Sequence, residues 1–214
     1  LQVQDEFGTQ IAVASSFLDD SPLRHAVFAD GTDPDYMDQW ESDHWHGGHS
    51  GSPYDPVNIA GSRWRNTALG TSPEVGDSVR LTWSIVPDGT LTNDGQESNL
   101  VAFMDGIYGG GGATIADRPW FPIFENAYSG WNDVSGVEFV YEPNDDGAAQ
   151  GNNATGVLGV RGDVRVFGAD IDGDYNTLAF NYYPGGGGNS GVDGDQTIDT
   201  NDRFYQDNSN GPNG

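Results

Sequence analysis

The clearest hydrophobic pattern in the chain is the alternating run at residues 78–86, Ser-Val-Arg-Leu-Thr-Trp-Ser-Ile-Val. Alternation of β-forming residues is typical of a strand with one face in a core. The Pro-Asp-Gly at 87–89 has the composition of a turn. We therefore predict a strand here and another at 137–141, and the apolar runs at 156–160 and 163–167 predict one or two more.

Helical periodicity is strongest between residues 117 and 136. Four aromatic side chains follow one another at spacings of four, four and three, which is one face of an amphipathic helix: Trp120, Phe124, Tyr128 and Trp131. Pro119 suits the first helical turn, and Gly136 suits a C-terminal stop. We predict one long amphipathic helix here and a shorter one at 98–104.

The first 62 residues differ from the rest of the chain in composition and in hydrophobic pattern. Apolar residues around 11–18 predict one extended strand within residues 1–18. Residues 19–62 are rich in Asp, Gly, Pro and His, and we expect them to be irregular. The predicted organisation is an N-terminal extension, 1–62, followed by an α+β domain, 63–214. That domain is expected to be a twisted mixed sheet of about five strands with the long helix on its face.

The strong negative charge of the chain limits the classes of partner that it can bind. Of 214 residues, 33 are acidic and eight are basic, all eight of them Arg, for a net charge of −25. Such a field repels phosphate, so it excludes nucleic acid as a partner, and it favours hard divalent cations such as calcium. No apolar run is long enough to predict a membrane span. The absence of Cys and Lys, the Gly- and Asn-rich composition and a start without Met predict an extracellular or cell-surface bacterial protein.

Three of the four histidines lie close together, at His44, His46 and His49. His44 and His46 would share one face of a strand, and a loop would bring His49 alongside to give a three-nitrogen zinc or copper site. The alternative, which we favour, is a polar loop without a metal. No Glu is spaced to make this cluster a peptidase site.

Several segments occur in the order of a known family. Residues 81–85 and 124–139 resemble the first strand and following helix of matrixin-type zinc peptidases, which are metzincins. Further on come, in that family's order, an Asp-Gly turn at 172–173, Leu-Ala at 178–179, Pro-Gly at 184–185 and an acidic run at 195–202. The resemblance covers roughly residues 63–210 and implies the N-terminal subdomain of a secreted bacterial metzincin.

The chain departs from this family at its zinc sites. The motif His-Glu-x-x-His-x-x-Gly-x-x-His, which would follow shortly after Asp202, is absent from the sequence. Phe180 and Thr197 stand where the family's second zinc has histidines. We therefore predict no catalytic residues and an inactive chain, with zinc implied only if a downstream segment exists.

The same resemblance implies calcium in the acidic loops. The matching residues are Asp172, Asp199 and Asp202 at one position and Asp195 at a second, where Gly191 and Asp193 lie near enough to help. Gly173 and Asp174 belong to a run, 170–174, that resembles a linear calcium loop but lacks the Glu of an EF-hand. The alternative is a set of solvated turns whose Asp side chains cap their own backbone.

Three functions stay open at this point. A matrixin-like, calcium-binding peptidase scaffold would bind extended peptide at an edge strand near 164–167. A filament or surface-layer subunit would instead form a homopolymer, lending the strand within 1–18 to a neighbouring protomer. A calcium-dependent carbohydrate-binding module would use exposed Trp and Tyr.

Overall fold

The computed structural model describes residues 2–4, 10–12, 24–29, 31–44, 64, 66–71, 77–151, 154–174, 176–184 and 191–205. The strands are β1 (Gln2–Gln4), β2 (Gln10–Ala12), β3 (Arg24–Phe28), β4 (Asn66–Thr67), β5 (Gly70–Thr71), β6 (Val79–Ile85), β7 (Val137–Tyr141), β8 (Val164–Ala169), β9 (Thr177–Tyr182) and β10 (Gln196–Asp199). The helices are α1 (Pro34–His44), α2 (Leu100–Tyr108) and α3 (Phe121–Val134), with short 3₁₀ turns at Ile115–Asp117 and Arg203–Tyr205.

A mixed six-stranded sheet, in the order β3-β9-β10-β8-β6-β7, organises the described part of the chain. β7, β6, β8 and β10 are parallel, whereas β9 is antiparallel to both of its neighbours, β10 and β3. β1 pairs with β2, and β4 with β5, in separate antiparallel ribbons. The predicted α+β class, a twisted mixed sheet with a long helix, is confirmed, with six strands in place of about five.

One face of the sheet packs against α2 and α3. Trp83 of β6 stacks on Phe121 and Tyr128 of α3, with ring centroids 5.7 Å and 4.4 Å apart. The predicted aromatic stripe is buried except for Trp131, which is 61% exposed. Asn132 continues the row of every fourth residue instead, and its side-chain amide bonds both the N–H and the C=O of Phe139. The prediction that Trp131 shares one helix face with the other three aromatic residues, which are buried, is therefore wrong.

The opposite face is covered by α1, while β3 extends the edge of the sheet. Trp40 packs with Phe180 and Tyr182 of β9, and Phe28 meets Trp40 edge-on at 5.7 Å. The prediction that residues 19–62 are irregular is therefore wrong at β3 and α1. Residues 1–18 hold a short antiparallel pair where one extended strand was predicted.

Three smaller expectations also change. Residues 156–160 do not form a strand; they lie in a turn closed by a bridge between Val157 and Arg161. The helix predicted at 98–104 is α2, which extends to Tyr108. Its first turn is capped by Asp88, whose carboxylate accepts from the N–H groups of Val101 and Ala102. Residues 164–167 belong to β8, which lies between β6 and β10, so they are not an edge strand. None of the described helices is long and apolar enough to cross a membrane.

A buried ion pair lies at the centre of the sheet. Arg165 of β8 donates through Nε and Nη2 to the two carboxylate oxygens of Asp145, at 2.9 Å and 2.6 Å. Both side chains are 1% exposed. Ser84 of β6 donates its hydroxyl to the same carboxylate at 2.7 Å, and the guanidinium lies 5.1 Å from the ring centroid of Phe167. The pair therefore joins two parallel strands to the segment that follows β7.

Trp83, which is buried, and Trp131, which is exposed, provide a matched test of this packing. Trp83→Ala opens a cavity beneath α3, so we expect it to lower the free energy of unfolding by about 3–5 kcal/mol. Trp131→Ala removes an exposed side chain and should change it by no more than about 0.5 kcal/mol. Urea unfolding followed by far-UV circular dichroism measures both, and equal losses would contradict the placement of α3.

Candidate functional site

Acidic residues meet where β8 and β10 end. Because these strands are parallel neighbours, the segments that follow them leave the sheet at the same end, where the carboxyl ends of both strands lie. The N–H of Asp172, after β8, donates to Oδ2 of Asp199, the last residue of β10, at 3.2 Å. Asp202 follows, and its Oδ1 accepts from the N–H of Phe204 at 2.6 Å. We call Asp172, Asp199 and Asp202 the acidic end; both Asp199 and Asp202 are 0% exposed.

Burial and mutual repulsion shape the electrostatics of the acidic end. Burial raises the pKa of Asp199, hydrogen bonds from the N–H groups of Asn201 and Asp172 oppose the rise, and the charge of Asp172 adds to it. Burial also raises the pKa of Tyr36 to about 12, helped by its hydrogen bond to Asp172. The pKa of Tyr205 is likewise raised, first by burial and then by Asp202 and Asp199.

Arginine does not balance this charge in the part of the chain whose side chains the structure describes. The four arginines whose side chains the structure describes each pair with a carboxylate elsewhere: Arg80 with Glu138, Arg118 with Asp105, Arg161 with Asp146, and Arg165 with Asp145. The charge of Asp172 raises the pKa of Asp199, so these two carboxylates repel each other. A cation between them would offset this repulsion.

The acidic end offers carboxylate oxygens, which calcium prefers as ligands, although its carboxylates do not by themselves surround a metal position. Among the described residues, no three His, Asp or Glu side chains are gathered tightly enough to hold a metal ion. Asp172 and Asp199 do approach each other, and calcium completes its shell with backbone carbonyls and water as well as carboxylates. Gly173 takes a left-handed turn, and Asp174 beside it is exposed.

The second predicted calcium position lies inside the protein. Asp195 is 1% exposed; its Oδ1 accepts from the N–H of Arg165 at 2.8 Å, and its Oδ2 from Nε2 of Gln150 at 3.2 Å. Burial raises the pKa of Asp195 to about 8, against the opposing charge of Arg165. These contacts are those of a structural group that ties β10 to β8, and calcium at Asp195 stays a prediction.

The two residues expected to help Asp195 lie in the loop just before β10. The carbonyl of Gly191 accepts from the N–H of Gly151 at 3.0 Å. Asp193 lines a separate cavity of about 140 Å³ together with Trp64 and Asp163. Each is thus placed by contacts of its own within the fold.

Of the three clustered histidines, the structure describes only His44. His44 is the last residue of α1, so the expected strand at this position is wrong. His46 and His49 lie outside the described residues, and the zinc or copper site stays a prediction.

Sequence reasoning missed a cavity between α1 and the sheet. This α1 cavity, of about 390 Å³, is lined by Tyr36, Gln39, Trp40, Thr92, Asp94, Gln96, Ala169, Asp170, Ile171, Asp172, Phe180 and Thr197. Its lining comes from α1, from three strands or the segments after them, and from the loop at 92–96. The signal in the sequence was Tyr36 and Trp40, one helical turn apart in a segment with few other apolar residues.

Asp195 generates a prediction about pH. Its pKa rises from an ordinary 3.8 to about 8 on folding, so the folded state holds the proton more tightly than the unfolded chain. Its contribution to stability is therefore complete below about pH 4 and is lost as pH rises to about 8. We expect the difference in unfolding free energy between the wild type and Asp195→Asn, which cannot titrate, to fall across this window.

Urea midpoints measured at intervals from pH 4 to pH 8 give that difference. Glu125→Gln, on the exposed side of α3, is the control and should follow the wild type throughout. A difference between wild type and Asp195→Asn that does not change with pH would contradict the buried, proton-holding carboxyl.

Comparison with models of known families, with curated proteins and with solved structures gives no match for this chain. The resemblance to matrixins accordingly stays a prediction that rests on the motifs at 81–85, 124–139 and 172–202. The acidic end and its surroundings are what a functional proposal must rest on.

Proposed function

We propose that this chain is an extracellular, matrixin-like scaffold that binds calcium at the acidic end and has no catalytic zinc site of its own. The observation that carries the proposal is the meeting of Asp172 and Asp199 at adjacent strand ends, where the N–H of one bonds the carboxylate of the other. Peptidase activity is not part of the proposal, because the sequence holds no His-Glu-x-x-His pair.

Charge supports calcium at this place. The chain carries a net charge of −25, and the charge of Asp172 raises the pKa of Asp199, so these two carboxylates repel each other. A divalent cation bound between Asp172 and Asp199 would offset that repulsion and fix the loop after β8 to the end of β10. Extracellular calcium is abundant enough to fill a site of modest affinity.

Calcium should stabilise the folded protein. If the dissociation constant is that of an extracellular module, a few millimolar calcium should add roughly 1–2 kcal/mol to the free energy of unfolding. Asp172→Asn removes a ligand charge and should abolish most of this gain. Thermal unfolding with and without calcium, paired with isothermal titration calorimetry, measures stability and binding separately.

The matched control is Asp133→Asn, which removes the same charge from the exposed side of α3 and should keep the calcium response. A wild type that neither binds calcium in the calorimeter nor unfolds at a higher temperature with it would refute the proposal. So would equal losses in Asp172→Asn and Asp133→Asn, since these would show only a general effect of charge.

A filament subunit is a second candidate, and the position of β3 favours it. β3 comes from the N-terminal segment, lies at the edge of the sheet, and pairs antiparallel with β9 along five residues. A strand so placed can also be supplied by a neighbouring protomer, which is how strand exchange builds polymers.

Removing residues 1–30 tests this candidate. An exchanging subunit would lose its polymers, because no β3 remains to cover β9, whereas a monomeric scaffold would show no polymers before or after the deletion. Sedimentation velocity on both proteins, with circular dichroism to confirm folding, separates these outcomes.

A further inference from the structure

We propose that the α1 cavity binds a small organic cation, a primary ammonium group on a short apolar chain. The site shares Asp172 with the acidic end, but it takes a different class of ligand and does not depend on calcium binding. The proposal follows from an unpartnered hydroxyl at the base of the cavity, the sign of the charges that line it, and its aromatic walls.

The base of the cavity is formed by the sheet. Thr197 of β10 and Phe180 of β9 are directly paired across the two strands, and Ala169 ends β8 on the other side. On β10, Ile198 belongs to the core beneath α3, so by strand alternation Thr197 is directed to the opposite face, towards α1.

Thr197 supplies the polar group that needs a ligand. The residue is 2% exposed, and its Oγ1 has no hydrogen-bond partner. A buried hydroxyl left without a partner is unfavourable, since it has lost its bonds to water. An ammonium group in the cavity would donate to this oxygen and satisfy it.

The charges around the cavity select a cation. Asp94, Asp170 and Asp172 line it, and no basic residue is among the described residues that do. The carboxylate of Asp170 accepts from Nδ2 of Asn201, and its carbonyl accepts from Nε2 of Gln96 at 2.7 Å, so this wall is fixed by bonds on both sides. A carboxylate has lone pairs for more than one donor, so Asp170 can still bind an ammonium.

The aromatic walls and the volume favour an organic ion over a bare metal. Trp40 and Tyr36 line the cavity from α1, and aromatic faces attract ammonium groups. The volume of about 390 Å³ is within the range of small-molecule sites. A bare calcium ion, which needs oxygens within about 2.3–2.6 Å, would not fill it.

The test is a titration of the full, ¹⁵N-labelled chain with pentylammonium, followed by the backbone amide signals of Thr197, Phe180 and Ala169. Concentrations up to about 10 mM suit a ligand of this size. Pentan-1-ol has nearly the same shape without the charge, and glucose tests a neutral sugar. A chelator keeps calcium out, because calcium at the acidic end would itself shift signals close to Asp172 and Asp199. N-acetyl-lysine N-methylamide, titrated in parallel, represents a lysine side chain of a partner protein.

We expect pentylammonium to shift these signals and pentan-1-ol and glucose to leave them unchanged. Asp170→Asn and Thr197→Val should each weaken pentylammonium roughly fivefold or more, as removal of one charge contact or hydrogen bond does. Asp133→Asn, on the other face, should bind as the wild type does. Thr197→Val loses a hydroxyl without an internal partner, so its fold should be retained, which its amide spectrum verifies.

Three results would overturn the proposal: no shift with pentylammonium, an equal response to pentan-1-ol or glucose, or unchanged affinity in both cavity variants. Tighter binding of the lysine derivative than of pentylammonium would overturn the assignment to a small molecule.

Discussion

The buried pair of Arg165 and Asp145 is the interaction on which the centre of this fold depends. Two charges removed from water are tolerated only when they are paired and hydrogen-bonded, and both oxygens of Asp145 are engaged. The same arginine donates its backbone N–H to Asp195, which precedes β10, and Ser84 of β6 donates to the carboxylate of Asp145. The pair and its hydrogen bonds therefore connect β8 with β6, with the start of β10 and with the segment after β7. A slip of β8 by one residue against β6 would turn Arg165 to the other face of the sheet and leave Asp145 buried without its partner.

The sheet divides the molecule into two chemically different faces. Beneath α2 and α3, large aromatic side chains such as Trp83 pack closely and provide the stability. Towards α1 the packing is sparser, and a cavity and carboxylates take the place of a continuous core. Strand alternation produces this division. In β10, Ile198 faces α2 and α3, whereas Thr197 and Asp199 face α1 and the acidic end.

Local patterns predicted the elements that bury one regular face. β6, α3 and β7 follow from alternation or helical periodicity within a few residues, and adjacent parallel strands bring Asp172 to Asp199. β3 and α1 escaped prediction because a few residues, Trp40 among them, make their contacts with β9, far along the chain. Asp195 looked like its acidic neighbours, and its burial depends on strand order, which no local pattern reveals.

The order of the strands has a consequence for biosynthesis. In the part of the chain that the structure describes, β10 is the last strand of the sheet, yet it lies between β8 and β9, near the middle. While the chain is being made, β6, β7 and β8 can associate, but β9 and β3 have nothing to join them to the others until residue 199 has emerged. The sheet therefore cannot assemble in the order of synthesis, and two of its strands must wait, with open edges, for the one that closes the gap.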